Sequence, residues 1–374
     1  MQHTDLCSNI QEAMTAFQLE GTINGHSRYG NGHINDTFLL CTQPENSEHE
    51  KRYILQRINH HIFRNPRELI ENISSVTSYL HRKTKEQQGD PLRETLTLVK
   101  TKEQQDLFQD GIGCYWRCCL FIEDTVCYEK AESSKDFYES GKAFGNFQNL
   151  LAEYPAATLH ETIPDFHHTP KRYQALLQAA AGDRCQRADL VLPELTFLQK
   201  RASELSAAFD LQQKGLLPLR VTHNDTKLNN ILFDKFTKKA ICILDLDTIM
   251  PGLSIHDFGD AIRFGANTAL EDETDLDRVS LSLELFDSYT RGFLEGCNGR
   301  LTSQEIRMLP MGAKLMTLES GIRFLTDYLW GDTYFKIHRP DHNLDRTRTQ
   351  LKLVADMEKK WDVMGEIVTK YSQN

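Results

Sequence analysis

Residues 221–252, VTHNDTKLNNILFDKFTKKAICILDLDTIMPG, constrain this chain more than any other stretch. From Asn224 to Asp247 a polar loop and two short β-like runs, NILF and AICILD, interrupt a region that otherwise reads as helices. Upstream the grammar differs. TINGHSRYG, INDTFLLC and KRYILQRI read as strands; a helix with Leu69, Ile73, Val76 and Leu80 on one face follows, opened by Pro66. ETLTLVKT and YWRCCLFIED read as two more strands, joined by the polar turn DLFQDGIG. From about Asp124 onward the pattern is amphipathic: SKDFYESGKAFGNFQNLLAEY, RVSLSLELFDSYTRGFLEG, SQEIRMLPMGAKLMTLESGIRFLTDYLW and RTRTQLKLVADMEKKWDVMGEIVTKY. The expectation is an α+β protein of two lobes: residues 1–122, a small antiparallel sheet with one helix, and residues 123–374, larger and mainly helical. A hinge is expected near Phe121–Asp124. No repeat or low-complexity tract appears.

The loop carries chemistry. Asp225 is followed by Lys227 two residues on and Asn230 five residues on, the spacing of a kinase catalytic loop. Phosphoryl transfer explains the residue types: Asp225 can take the proton of an attacking hydroxyl, and charged Lys227 can steady a γ-phosphate. Asn230 offers a neutral oxygen to Mg²⁺, which prefers hard oxygen ligands. Asp245 ends the apolar run Ile241, Ile243, Leu244, and a carboxylate delivered by a buried strand calls for a cation, so it is the second expected metal ligand. Asp247 is either a further acid at that site or a structural residue. Asp257-Phe258-Gly259 mimics a kinase metal motif but lies thirty-two residues after Asp225, and is read as a support for the loop. On the nucleotide side, Gly30, Asn31 and Gly32 form a turn whose backbone N–H groups can approach phosphates, although a plain hairpin turn explains them equally well. Phe121, Ile122 and Glu123 at the hinge can hold adenine through backbone groups. Glu68 or Glu71 on the first helix can pair with a phosphate-binding cation, or are solvated charges. His60-His61 and His167-His168 are expected at the surface.

Bulk properties exclude some classes. A net charge of −10 and a pI near 5.8 argue against a general nucleic-acid or anionic-membrane binder. No stretch approaches a transmembrane length, and residues 1–20 are polar and mixed, unlike a secretory signal, so a cytoplasmic monomer is expected. Nine cysteines without a C-x-x-C pair read as buried free thiols; a zinc site from Cys114, Cys118 and Cys119 is disfavoured, since strand neighbours point to opposite faces.

Together YGNGHINDTF, HNDTKLNNIL and ILDLD resemble the aminoglycoside phosphotransferase and choline kinase superfamily of small-molecule kinases, which have a protein-kinase-like fold. A closer resemblance, to the bacterial N-acetylhexosamine 1-kinases, rests on VTHNDTKLNNIL, DLDTIMPG, IRFGANTALEDE, RFLTDYLWGDTYF and HNLDRTRTQLKLV, with RYILQRIN and FGNFQNLLAE in the first lobe and middle. It implies ATP- and Mg²⁺-dependent phosphorylation of N-acetylglucosamine and N-acetylgalactosamine at the anomeric hydroxyl, giving the α-1-phosphate. It also implies that His33, Arg323 and Tyr334 contact the sugar, with Asp225 at the reacting hydroxyl; Asn224 beside it is grouped with the substrate-binding residues. One departure stands out. The superfamily places a Lys or Arg on the third strand to hold phosphates, whereas this chain has Gln56 there and Arg57 next to it, on opposite faces. The alternatives are a kinase for an aminoglycoside, choline, homoserine or methylthioribose, a metal-dependent phosphohydrolase using His223, Asp225, Asp245 and Asp247, and an inactive kinase fold that senses ligand.

Overall fold

A computed structural model of the chain describes residues 10–30, 34–45 and 47–372. The first half of the fold is a sheet of six antiparallel strands: β1 (Thr22–Arg28), β2 (Asp36–Gln43), β3 (Lys51–Ile58), β4 (Leu98–Val99), β5 (Phe108–Gln109) and β6 (Tyr115–Leu120). Their order is β1-β2-β3-β6-β4, with β5 also paired to β6. Alternation along β3 sorts the faces. Tyr53 and Leu55 join Phe38, Leu40, Trp116 and Cys118 in one core, closed by Ile10, Met14 and Phe17. Gln56 and Ile58 point to the other face, toward α1 (Pro66–Glu86).

Two sequence expectations change here. Of ETLTLVKT only Leu98 and Val99 pair with β6, because Pro91–Glu94 forms a helical turn that Asp90 caps through Leu92 N at 3.0 Å. Part of the segment read as a plain turn, Phe108–Gln109, is itself a strand. The α1 helix follows its apolar spacing. Asn65 caps it, Pro66 opens it, and Leu69, Ile73, Val76 and Leu80 are buried. They pack against Phe147, Leu151, Val221, Leu246 and Ile249, all from later in the chain than residue 124. Asn72, also buried on that face, donates to His160 O at 2.8 Å and to Ile249 O at 3.0 Å.

The remainder is helical: α2 (Ser134–Leu150), α3 (Thr169–Gly182), α4 (Leu192–Gln199), α5 (Ala207–Gln213), α6 (Ser254–Gly265), α7 (Leu283–Cys297), α8 (Leu309–Trp330), α9 (His342–Lys359) and α10 (Trp361–Ser372). The last predicted helix is two helices broken at Lys360, and the one before it is interrupted at Met308, ahead of Pro310. Between them run β7 (Thr125–Val126), β8 (Arg220–Thr222), β9 (Ile231–Asp234), β10 (Ala240–Ile243) and β11 (Met250–Gly252), in a three-stranded β10-β9-β7 sheet and a β11-β8 pair.

The axis of this half is the contact between α2 and α7, which rests on four glycines. Gly141 and Gly145 on α2 face Gly292 and Gly296 on α7, each pair four residues apart and so on one side of its helix. A Cβ at Gly145 would stand 2.2 Å from Phe293 O, and one at Gly292 would stand 2.2 Å from Tyr138 O. The backbones touch without intervening side chains. Phe258, Phe286, Tyr289 and Phe293 fill the core alongside. Among the described residues no helix is long and apolar enough to cross a membrane.

Candidate active site

Residues 223–230 link β8 to β9, and their shape is set by one buried carboxylate. Asp257, 1% exposed in α6, accepts from His223 N at 2.9 Å and from Asn224 N at 2.8 Å, and Gln148 Nε2 of α2 donates to it at 2.9 Å. Burial pushes its carboxyl up, and these three donors act against that. Asn224 takes a left-handed φ of 64°, and its side chain donates inward to Thr248 O at 2.8 Å and Thr222 O at 3.3 Å. The next clamp is Asp260, which accepts from Thr226 N at 3.1 Å and is paired with Arg263 at 2.9 Å. His223 Nε2 lies 2.7 Å from Leu244 O; a carbonyl only accepts, so the proton sits on Nε2 and Nδ1 is left to accept from Asp225 N at 3.3 Å.

This scaffold turns Asp225 outward. Its Oδ1 lies 2.7 Å from Lys227 Nζ, and Asn230 Nδ2 donates to its carbonyl at 2.8 Å and to Oδ2 at 3.1 Å. Burial alone would raise the Asp225 carboxyl, but Lys227 and the Asn230 amide hold it below its ordinary value. Asp225 is therefore an anion that accepts hydrogen bonds, as a proton acceptor must be.

The metal set fits an oxygen-seeking cation. Asn230 spends its amide nitrogen on Asp225, which leaves its carbonyl oxygen available. Leu244 N donates to Asn230 O at 2.8 Å, so the neighbouring Asp245 is delivered beside Asn230. Asp245 is exposed, has φ 54°, and accepts no hydrogen bond from the described residues. Although the side chain reaches solvent, the protein packed around it desolvates the carboxyl and, with Asp247 and Asp225 close by, pushes it up to about 7. A crowded carboxylate with no donor, beside a free amide oxygen, is a donor set that Mg²⁺ would satisfy. Asp247 takes a different part: it is 3% exposed, paired with Arg117 of β6, and accepts from Asn35 at 2.5 Å.

Other expected site residues are distributed as follows. Gly30 has φ 73°, in the turn between β1 and β2, while Asn31, Gly32 and His33 lie outside the described residues. Gln56 donates to Thr37 Oγ1 at 3.0 Å, and Arg57 points to the opposite face, bonded to Asp36. Phe121 N donates to Arg52 O at 3.1 Å, and its ring packs under the Arg52 guanidinium and against Tyr29. Glu123 pairs with Arg52, and its carbonyl accepts from Arg93 at 2.8 Å. Glu71 pairs with His160 at 2.9 Å, and Glu68 lies in the first turn of α1; the structure joins neither to a cation near the loop.

Arg323 of α8 sits 5.4 Å from the Phe166 ring, 5.5 Å from Phe335 and 6.0 Å from Tyr334, which is itself exposed. One turn earlier on the same helix, buried Glu319 accepts from Thr169 Oγ1 at 2.6 Å and meets His167 Nδ1 at 2.8 Å. This corrects the reading of His167 as a surface residue: its side chain is 8% exposed. Its ring stands 5.1 Å from that of His256, the residue before Asp257, so a short chain of contacts joins Arg323 to the loop. Sequence reasoning missed Arg117, His167, Glu319 and Gln148, because the partners of each lie 61 residues or more away in the chain.

The model of the phosphotransferase enzyme family matches residues 26–287, well over half of the chain. The chain belongs to that family. The phosphotransferase is similar in fold to the microcompartment-associated aminopropanol kinase, with a TM-score of 0.64 at 15% identity over 96% of this chain and 98% of that one. It is also similar to an aminoglycoside phosphotransferase from Alicyclobacillus acidocaldarius, at 0.61 and 12% over 97% and 96%. A third is a spectinomycin phosphotransferase in complex with ADP and spectinomycin, at 0.54 and 14% over 100% and 99%. Together with the antiparallel sheet followed by a mostly helical remainder, these matches make the fold the two-lobed, protein-kinase-like one.

Proposed function

We propose that this phosphotransferase is an ATP- and Mg²⁺-dependent kinase that phosphorylates N-acetylglucosamine and N-acetylgalactosamine at O1, giving the α-1-phosphate by direct in-line transfer. The observation that carries the kinase reading is the outward Asp225 carboxylate, ion-paired with Lys227 at 2.7 Å on a loop clamped by Asp257. In this reading the anomeric oxygen bonds to the γ-phosphorus as the bond to the β–γ bridging oxygen breaks, and ADP departs. The hydroxyl proton passes to Asp225, a contribution of roughly 10²–10⁴-fold. Lys227 then exchanges its carboxylate partner for the transferred phosphoryl oxygens. Asn230 and Asp245 would hold Mg²⁺, which when bound neutralises charge on the phosphates. In this reading residues 1–122 form the nucleotide-binding lobe and residues 123–374 the catalytic and sugar-binding lobe, a division supported by the end of β6 at Leu120 and the pairing of β7 with β9.

The sugar assignment rests on the long shared strings around Asp225, Arg323 and Tyr334. It is supported by the three aromatic rings gathered at Arg323, which form an apolar wall with a fixed polar group. A kinase for another small hydroxylated compound is the second reading, favoured by the fold likeness to the aminopropanol and spectinomycin enzymes. The test is a substrate panel with MgATP followed by ³¹P NMR, containing both N-acetylhexosamines, glucose, galactose, choline and an aminoglycoside. An α-1-phosphate signal from the N-acetylhexosamines is the expected result. Phosphate on choline or the aminoglycoside alone would replace the sugar by that acceptor. No product from any acceptor, with ATP still bound, would bring the inactive, ligand-sensing kinase fold to the front.

A further inference from the structure

A nucleotide brings several negative charges to a site that already contains the carboxylates of Asp225, Asp245 and Asp247. Lys227 beside Asp225 is assigned to the transferred γ-phosphoryl group, and Arg57 lies on the far face of β3 against Asp36 and Trp116. The inner face of β3 presents Gln56, a neutral amide. Directly opposite it in the β3–β6 ladder stands Arg117. Arg117 Nε donates to Gln56 Oε1 at 2.9 Å, and Gln56 in turn donates to Thr37 Oγ1 at 3.0 Å, at the start of β2 just past the glycine turn. On its other side Arg117 Nη1 pairs with Asp247. Asp247 accepts from Asn35, and Asn35 Oδ1 accepts from Asn59 N at 2.9 Å. A continuous chain of hydrogen bonds thus runs from Thr37 at the start of β2 through Gln56 of β3, Arg117 of β6 and Asp247 to Asn35 and Asn59, with one guanidinium in its middle.

We infer that Arg117 is the side chain that takes up the charge of the nucleotide's diphosphate, held in position by Gln56 and Asp247. The inference rests on the kinase reading and assigns its nucleotide side. A guanidinium is suited to this task where an ammonium is not. It is planar with five N–H donors, so with Nε on Gln56 and Nη1 on Asp247 it still has Nη2, which lies between them, to present. Its Nη2 has no hydrogen-bond partner among the described residues. Burial keeps the cation from being screened: the Arg117 and Asp247 side chains are 5% and 4% exposed. The cation reaches the same region a β3 residue would, but from the adjacent strand.

Removing Arg117 alone would strand the Asp247 carboxylate in the interior, so the variant to use is Arg117→Met with Asp247→Asn. Isothermal titration calorimetry with Mg²⁺ then compares ADP with adenosine, which lacks the phosphates. The expected result is a loss of ADP affinity of roughly 10- to 100-fold, the range for a charged hydrogen bond, with adenosine affinity unchanged. Adding Gln56→Lys to that pair should recover most of the ADP affinity by returning a cation to β3. If the double variant does not fold, Arg117→Lys serves: it keeps the charge, loses the fork, and should weaken ADP while sparing adenosine. A folded variant that binds ADP like the wild type overturns the inference alone. Equal weakening of adenosine also overturns it, since Arg117 would then only hold the structure together. A wild type that binds neither compound overturns the kinase reading, and this inference with it.

Discussion

Replacing Gly145 by alanine should destabilise the protein even though alanine is the better helix former. In an open helix the exchange contributes about 1 kcal/mol of stability. At Gly145 the new Cβ would lie 2.2 Å from Phe293 O and 2.9 Å from Cys297 N, both backbone atoms of α7. Ordinary carbon contacts need ~3.5 Å, so α2 and α7 must separate by about 1 Å along much of their contact. Overpacking of a close-packed core costs about 1–3 kcal/mol, and here no flexible side chain can yield, so the upper end applies and outweighs the propensity gain. Gly365 supplies the control: it lies in α10 with nothing within 4 Å of an added Cβ, and the same substitution there should stabilise by about 0.5–1 kcal/mol. Urea denaturation with matched m-values distinguishes the two. Activity should fall with stability in Gly145→Ala, since α2 also carries Gln148, which braces Asp257, and Phe144 and Phe147, whose rings lie 5.5 and 6.2 Å from His223. A midpoint for Gly145→Ala at or above that of the wild type would refute the close-contact argument.

Asp225→Asn should retain the fold and lose about 10²–10⁴-fold in kcat; an undiminished rate removes Asp225 from the chemistry. Asp245→Ala should move the Mg²⁺ titration of activity to higher metal concentration, and an unchanged titration would exclude it as a ligand. Arg323→Ala should raise KM for the sugar while leaving KM for ATP alone; a rise in both would make Arg323 structural. Burial with His167 nearby depresses the His256 imidazole to about 3 from its ordinary 6.5. The unfolded chain therefore binds the extra proton between those values, so this stability is intact above pH 6.5 and is lost as pH falls toward 3. The loss amounts to on the order of 5 kcal/mol. His256→Gln should flatten the unfolding free energy between pH 6.5 and 4, and a slope equal to the wild type's would contradict the assignment.

The grouping of Asp225, Lys227 and Asn230 was legible because it is written within a few residues, and the three side chains meet in the same turn. The helices of the second lobe were legible from apolar spacing, and α1 from Pro66 and its buried stripe. What could not be read was register. That Gln56 faces Arg117 depends on how β3 and β6 align across 61 residues, and YWRCC by itself reads only as an apolar strand. His167 looked like a surface residue because its partner, Glu319, is 152 positions away on α8. Two-residue strands such as β4 and β5 are defined by pairing with β6 and have too little pattern of their own. The glycine quartet was visible as two pairs at four-residue spacing, but only the packing of α2 on α7 shows why no side chain is tolerated there.

The position of α1 bears on how this protein could be divided. The helix belongs to the first lobe by sequence order, yet its buried face lies in one core with Phe147, Leu151, Val221 and Ile249, and Asn72 is bonded to Ile249. A chain ended at Ile122 would turn Leu69, Ile73, Val76 and Leu80 toward water and leave Asn72 without its carbonyls. Such a fragment should aggregate when expressed alone. Two fragments split at the hinge should regain solubility only when produced together, each completing the interior of the other. Residues 121–124 would then mark a seam in the chain and not a border between two interiors, since residues on both sides of them share one core.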